Sequence, residues 1–158
     1  ALGNIPLILK GIMTAEDAAL AVEHNVEGIY ISNHGGRQLD HVLGNIQMLP
    51  EVVSAVDGKA EVFIDGGFTR GTDIVKALIL GAKAVGIGRL QAYALGAGGA
   101  EGLIRCLELL EQEINTTMGL IGVTSLDQLS SESITEAMPV TLPHEHSAFP
   151  HLPGGQVG

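Results

Sequence analysis

The chain has 158 residues, 46% of them hydrophobic and 3% aromatic, with a formal net charge of -10 at neutral pH. This supplies apolar material for one aliphatic core, and the acidic balance excludes a nucleic-acid partner, which needs clustered Lys and Arg. No apolar run is long enough to span a membrane, no secretory leader is visible, and Cys106 is the only cysteine, so the expected setting is reducing and cytoplasmic, with a peroxisomal or mitochondrial one left open.

Four strand-plus-helix units follow one another. Pro6 to Lys10 reads as a short buried strand. Thr14 is the N-cap of the next helix, with Asp17 three residues on and Ala18, Leu20, Ala21 and Val22 as apolar positions. Gly28 to Ser32 is the second strand, followed by a polar loop through Asn45 and a helix from Gln47 to Val56. Glu61 to Ile64 is the third strand and ends at Asp65-Gly66-Gly67. Thr72 opens a helix built on Ile74, Val75, Leu78 and Ile79, which Gly81 stops. Ala84 to Ile87 is the fourth strand, ending at Gly88-Arg89. The last helix runs from Ala100 to Met118, with Leu103, Leu107, Leu110 and Ile114 on one stripe and Cys106 as a small buried side chain. From Ser130 the periodicity stops, and prolines, histidines and glycines mark an irregular tail. Apolar strands alternating with helices predict a parallel sheet covered by helices.

Chemistry-bearing residues fall after the strands, at the C-terminal ends where parallel α/β folds place their active sites. The segment Ser32-Asn33-His34-Gly35-Gly36-Arg37-Gln38-Leu39-Asp40 sets a base that takes a proton near neutral pH close to a guanidinium that grips a carboxylate with two prongs. Such a pair suits a small acid with a hydroxyl beside its carboxylate. Lys10, Arg37, Arg70 and Arg89 each stand at or just past a strand end, which reads as an anion site. Asp65-Gly66-Gly67 and Gly88-Arg89 bring backbone N–H groups close to a helix start, which favours phosphate. The tail histidines His144, His146 and His151, with Glu145, follow no standard zinc spacing, so no metal ligands are assigned.

Several of these pieces together resemble one family. Leu9-Lys10-Gly11-Ile12, the Ser32 to Asp40 segment, Asp65-Gly66-Gly67, Arg70-Gly71-Thr72-Asp73 and Gly86-Ile87-Gly88-Arg89 are similar, in order and spacing, to the C-terminal half of the FMN-dependent 2-hydroxy acid oxidases and dehydrogenases. Glycolate oxidase, lactate oxidase and flavocytochrome b2 belong to that family. The resemblance covers Pro6 to Leu129. It implies an α/β fold, the C-terminal half (four βα units) of a (β/α)8 TIM barrel over residues 1–130, followed by an irregular C-terminal tail over 131–158.

The resemblance also implies FMN as cofactor. Lys10 and Ser32 would lie at the flavin ring, Asp65, Gly66 and Gly67 along the ribityl and phosphate end, and Gly88 with Arg89 on the phosphate. His34 would be the catalytic base and a substrate contact, and Arg37 would bind the substrate carboxylate. The implied reaction oxidises a small L-2-hydroxy acid, of the glycolate or lactate type, to the 2-oxo acid. His34 would take the hydroxyl proton while the alpha hydrogen leaves as hydride, or take the alpha proton itself. Oxygen or another electron acceptor would complete the cycle. Thr69 stands where most relatives carry an arginine that helps to hold the phosphate, and Arg70 is the neighbour that would compensate. The family's N-terminal half is outside this chain, so the alternative reading is an inactive fragment or degenerate relative that at most binds phosphate or a partner chain. Two half-barrels pairing as a homo-oligomer would cover the open sheet edges. An isopentenyl-diphosphate isomerase-like barrel is a third reading, which the Ser32 to Asp40 segment fits poorly.

Overall fold

The elements in chain order are β1 (Ile8–Ile12), α1 (Ala15–Glu23), β2 (Gly28–Ile31), α2 (Asn45–Val56), β3 (Glu61–Ile64), α3 (Gly71–Ile79), β4 (Ala84–Val85) and α4 (Arg89–Leu120). They come from a computed structural model that describes residues 5–137. The tail histidines and most of the expected 131–158 tail lie outside the described residues.

All strands pair in parallel, in the order β1-β2-β3-β4. Right-handed crossovers between successive neighbours put α1, α2 and α3 on the same face. An order that never reverses is that of a βα barrel and not of a doubly wound sheet. Register aligns Leu9 with Ile29 and Val62, and Ile31 with Ile64 and Val85. These residues meet Ala18 and Ala21 of α1, Leu49, Val52 and Val56 of α2 and Ala77 of α3 in one core. The alternate row, Lys10, Tyr30, Phe63 and Ala84, points to the other face. The helices therefore cover one face of the sheet, as in a βα barrel, and the other face carries Lys10. Gly11, at φ +99°, is an extra residue in β1. That bulge turns Ile12 back to the helix side, where it packs on the core.

The local signals explain most boundaries. The Thr14 hydroxyl accepts the Asp17 N–H at 3.2 Å and starts α1 as expected. The Asp73 carboxylate accepts the N–H groups of Arg70 (3.1 Å) and Thr69 (3.3 Å), which starts α3 at Gly71, one residue before Thr72. Helices α1, α2 and α3 are each followed by a left-handed residue: Asn25, Asp57 and Gly81. Three expectations change. Helix α4 begins at Arg89 and bends at Gly98 and Gly99, so the stretch expected to be loop before Ala100 is largely helical. Leu20 (53% exposed) and Leu107 (49% exposed) face outward. On α4 the inward positions are Leu110 and Met118, with Cys106 half-buried instead of enclosed. Among the described residues no helix is long and apolar enough to cross a membrane.

Helix α3 is fastened to α4 by one carboxylate. Glu113 accepts from the Gly71 N–H at 2.7 Å and from Arg70 Nε at 2.8 Å. The Arg70 guanidinium, and next the Gly71 N–H, hold the Glu113 carboxyl below its ordinary range. The approach is close: a Cβ at Gly71 would sit 2.6 Å from the Ile114 nitrogen and 2.7 Å from the Leu110 oxygen. Backbone atoms cannot step aside as a flexible side chain can. Gly71→Ala should therefore cost about 1–3 kcal/mol, the usual range for overpacking. Urea unfolding measures this, and an unchanged midpoint would show that the two helices are not in forced contact there.

Candidate active site

Because the strands are parallel, every strand end opens on one rim. A cleft of roughly 350 Å³ lies there, within the usual range for small-molecule sites. His34 and Arg37 form one wall, from the turn after β2. Asp65, Gly66 and Gly67 enter from the end of β3, and Gly88 and Arg89 from the start of α4. Phe68, Thr69 and Leu90 are also among the lining residues. Seven of the nine expected site residues thus share one cavity. The other two, Lys10 and Ser32, do not line it and instead support Asp65 and His34 from below.

The base-bearing turn is held in a strained shape. His34 has φ +56°, a left-handed value that side-chain-bearing residues avoid and that costs on the order of 1–3 kcal/mol. Its N–H donates to Ser32 Oγ at 3.2 Å. One residue earlier, Asn33 Oδ1 accepts the Gly36 N–H at 3.1 Å and closes the short 3-10 turn His34–Gly36. The Gln38 side-chain amide lies 3.1 Å from His34 Nδ1. The amide nitrogen Nε2 faces the ring and donates to Nδ1 in the tautomer that carries its proton on His34 Nε2. Arg37 follows the turn with an exposed side chain and forms no ion pair among the described residues. Arg89 Nη2 donates to the Gly35 carbonyl at 3.1 Å, joining the start of α4 to this turn. That contact also explains Gly35, where a Cβ would crowd the guanidinium at 3.1 Å.

Below the turn runs a polar floor. Lys10 Nζ donates to Asp65 Oδ2 at 2.8 Å and to Ser32 Oγ, and lies 4.9 Å from the centre of the Tyr30 ring. The Tyr30 ring in turn leans on Phe63, with 6.1 Å between centroids. The Tyr30 hydroxyl occupies the space a side chain at Gly86 would need. Burial, and next the Asp65 carboxylate, push the Tyr30 phenol above its ordinary value.

The expectation that Arg70 joins the anion site is corrected. Its guanidinium is bonded to Glu113 at 2.7 Å, on the α3–α4 side, and does not line the cleft where Thr69 stands. The cations left on the cleft wall are Arg37 and Arg89. Sequence reasoning also passed over Asn45, which is 3% exposed and bonds to both Asn33 and Asp65. A signal was present: an amide residue directly after Gly44 at a helix start, where such side chains readily bond to nearby backbone. No role was assigned to Tyr30, Gly86 or Gln38, because their roles depend on cross-strand and turn geometry.

The model of the FMN-dependent dehydrogenase family matches residues 2–136. The chain is 50% identical over 130 residues to an L-lactate oxidase of Nostoc sp., covering 82% of this chain and 36% of that protein. It is 51% identical over 127 residues to 2-hydroxyacid oxidase 2 of Homo sapiens, covering 80% and 36%. A solved structure of mandelate oxidase with (S)-2-phenylpropionate superposes with a TM-score of 0.76 at 48% identity, covering 78% of this chain and 37% of the other. The chain thus spans little more than a third of the length of the relatives it matches.

The Tyr30 environment yields a direct check. In a Tyr93→Phe background, absorbance titration should report a single phenol ionising above the ordinary tyrosine value near 10. Adding Asp65→Asn should lower that value without restoring the ordinary one, since burial is the larger cause. A full return to the ordinary value would mean that Tyr30 is solvated.

Proposed function

The chain belongs to the FMN-dependent dehydrogenase family, and from that premise we propose that its cleft serves FMN-dependent oxidation of a small L-2-hydroxy acid to the 2-oxo acid. The observation that carries this reading is the joint presence of His34, Arg37 and Arg89 on one cleft wall with Gly66, Gly67 and Gly88. We assign the functional unit to residues 1–130 and leave 131–158 outside it.

The residues present fit the cofactor. Gly66 and Gly67 have φ +89° and +85°, and a Cβ at Gly67 or Gly88 would meet nothing within 4 Å, so the wall is bare backbone open to a ligand. Arg89 stands at the first turn of α4, where the helix field favours an anion. Arg89, Gly88, Asp65, Gly66 and Gly67 would hold the phosphate and ribityl end, with Lys10 and Ser32 at the ring end. FMN, when bound, supplies the acceptor for two electrons.

In this reading Arg37 takes the substrate carboxylate in a two-pronged, charge-assisted grip and so fixes which face of the alpha carbon is presented. His34 removes one proton and holds it on the imidazole. The substrate loses two electrons and two protons in all, and becomes the 2-oxo acid. Buried Phe68 and half-buried Leu90 make the neighbouring wall apolar, which limits water beside the charged groups. Glycolate and lactate are the substrate types proposed, with oxygen or another acceptor taking the electrons onward. The alternative, an inactive fragment or degenerate relative that at most binds phosphate or a partner chain, is favoured by one observation: Arg70 is committed to Glu113, which weakens the hold on FMN.

Two substitutions test the assignment. His34→Ala should slow flavin reduction by a 2-hydroxy acid by about 10²–10⁴-fold, with FMN affinity unchanged by fluorescence titration. Near-parental reduction would remove His34 from the mechanism, and FMN binding without reduction in the parent would favour the alternative. Arg37→Lys should raise KM by roughly tenfold, about 1.4 kcal/mol, because a point charge replaces a planar fork. An unchanged KM in steady-state assays would refute the carboxylate grip.

A further inference from the structure

We propose that Asn45 is a positioning residue that fixes the base-bearing turn against the Asp65–Gly66 turn and so sets the width of the cleft between them; this rests on the reading of that cleft as the oxidation site. The first residue of α2 lies outside the cleft lining, yet its side chain is one of two polar ones buried among the described residues, Ser32 being the other.

Its two amide ends face different turns. Asn45 Oδ1 accepts the Asn33 N–H at 3.2 Å, one residue before His34. Its Nδ2 donates to the Asp65 carbonyl at 2.7 Å and reaches Asp65 Oδ1 at 3.3 Å. An amide is the side chain that offers an acceptor and a donor from one planar group, as this bridge requires. Asp65 Oδ2 remains for Lys10, so the same carboxylate is held from both sides. A second, independent observation is steric. A Cβ at Gly66 would lie 2.6 Å from Asn45 Nδ2, so the backbone of the Asp65–Gly66 turn rests directly on this amide. Asn45 itself is anchored by its helix: Gly44 N–H donates to Gln47 Oε1 at 2.9 Å and the Gln47 N–H donates to the Gly44 carbonyl at 2.9 Å.

Removing the amide should therefore release the turns without unwinding α2. Hydrogen exchange of single amides, read by NMR on the chain without FMN, makes the test. In Asn45→Ala the Asn33 amide is expected to exchange about tenfold faster or more, as for the loss of one buried hydrogen bond. The Asp57 amide, which donates to Val53 at the far end of α2, should keep its parental rate. Asn45→Asp keeps an acceptor for Asn33 and sets a carboxylate against Asp65. It should restore Asn33 protection while weakening FMN binding about tenfold, and it carries the comparison if the alanine variant does not fold. The proposal is overturned if Asn33 and Asp57 quicken together in the alanine variant, if neither changes, or if the aspartate variant leaves Asn33 as open as alanine does. A parent chain that binds no FMN would sink the cofactor reading and leave the Asn33 comparison standing.

Discussion

The Lys10–Asp65 ion pair ties the end of β1 to the end of β3 across the top of β2. Ser32, at the end of β2, sits between them: its hydroxyl accepts from Lys10 Nζ and from the His34 N–H. One ammonium thus reaches all three strand ends, and the base-bearing turn hangs from the same hydroxyl. As a stability element the pair is modest. Lys10 is half exposed, and such pairs contribute on the order of 1 kcal/mol or less. Its importance is geometric, since it fixes the carboxylate that Asn45 also holds. It also places a positive charge beside the cleft while partly cancelling it, so among the described residues the cation on the β2 side that forms no ion pair is Arg37.

Much of the fold was legible because its signals are local. Thr14 with Asp17, Glu61 to Ile64, and Gly81 after α3 act through a few neighbouring residues, and the structure keeps them. The extent of α4 was not legible for the opposite reason. The stretch between Arg89 and Ala100 was expected to be loop, but only Gly98 and Gly99 leave helical geometry, and the helix resumes beyond the bend. Leu107 was assigned inward by a spacing that Cys106 and Leu110 satisfy better once the actual packing of α3 on α4 is known.

The site shows the same division. His34, Arg37 and the two glycine turns could be found from residue type and position after a strand. The destination of Arg70 could not, because its partner Glu113 lies far along the chain and is brought near only by the close α3–α4 contact at Gly71. A count of cations at strand ends therefore overstates the charge on the cleft. Asn45 was missed in the complementary way: a neutral side chain carries no charge signal, and its bonds span two loops that only the folded sheet brings together.

The left-handed exits from α1, α2 and α3, at Asn25, Asp57 and Gly81, lead into the next strand from the end of the sheet opposite the cleft. Parallel strands enforce this separation, because each one must be entered from the same side. The chain consequently has a working end and a returning end, and among the described residues the turns of the returning end share no hydrogen bond with the rim network. Extra residues grafted between Asp57 and Lys59 would lengthen the underside alone, which makes that return a natural place for a reporter or for evolutionary drift.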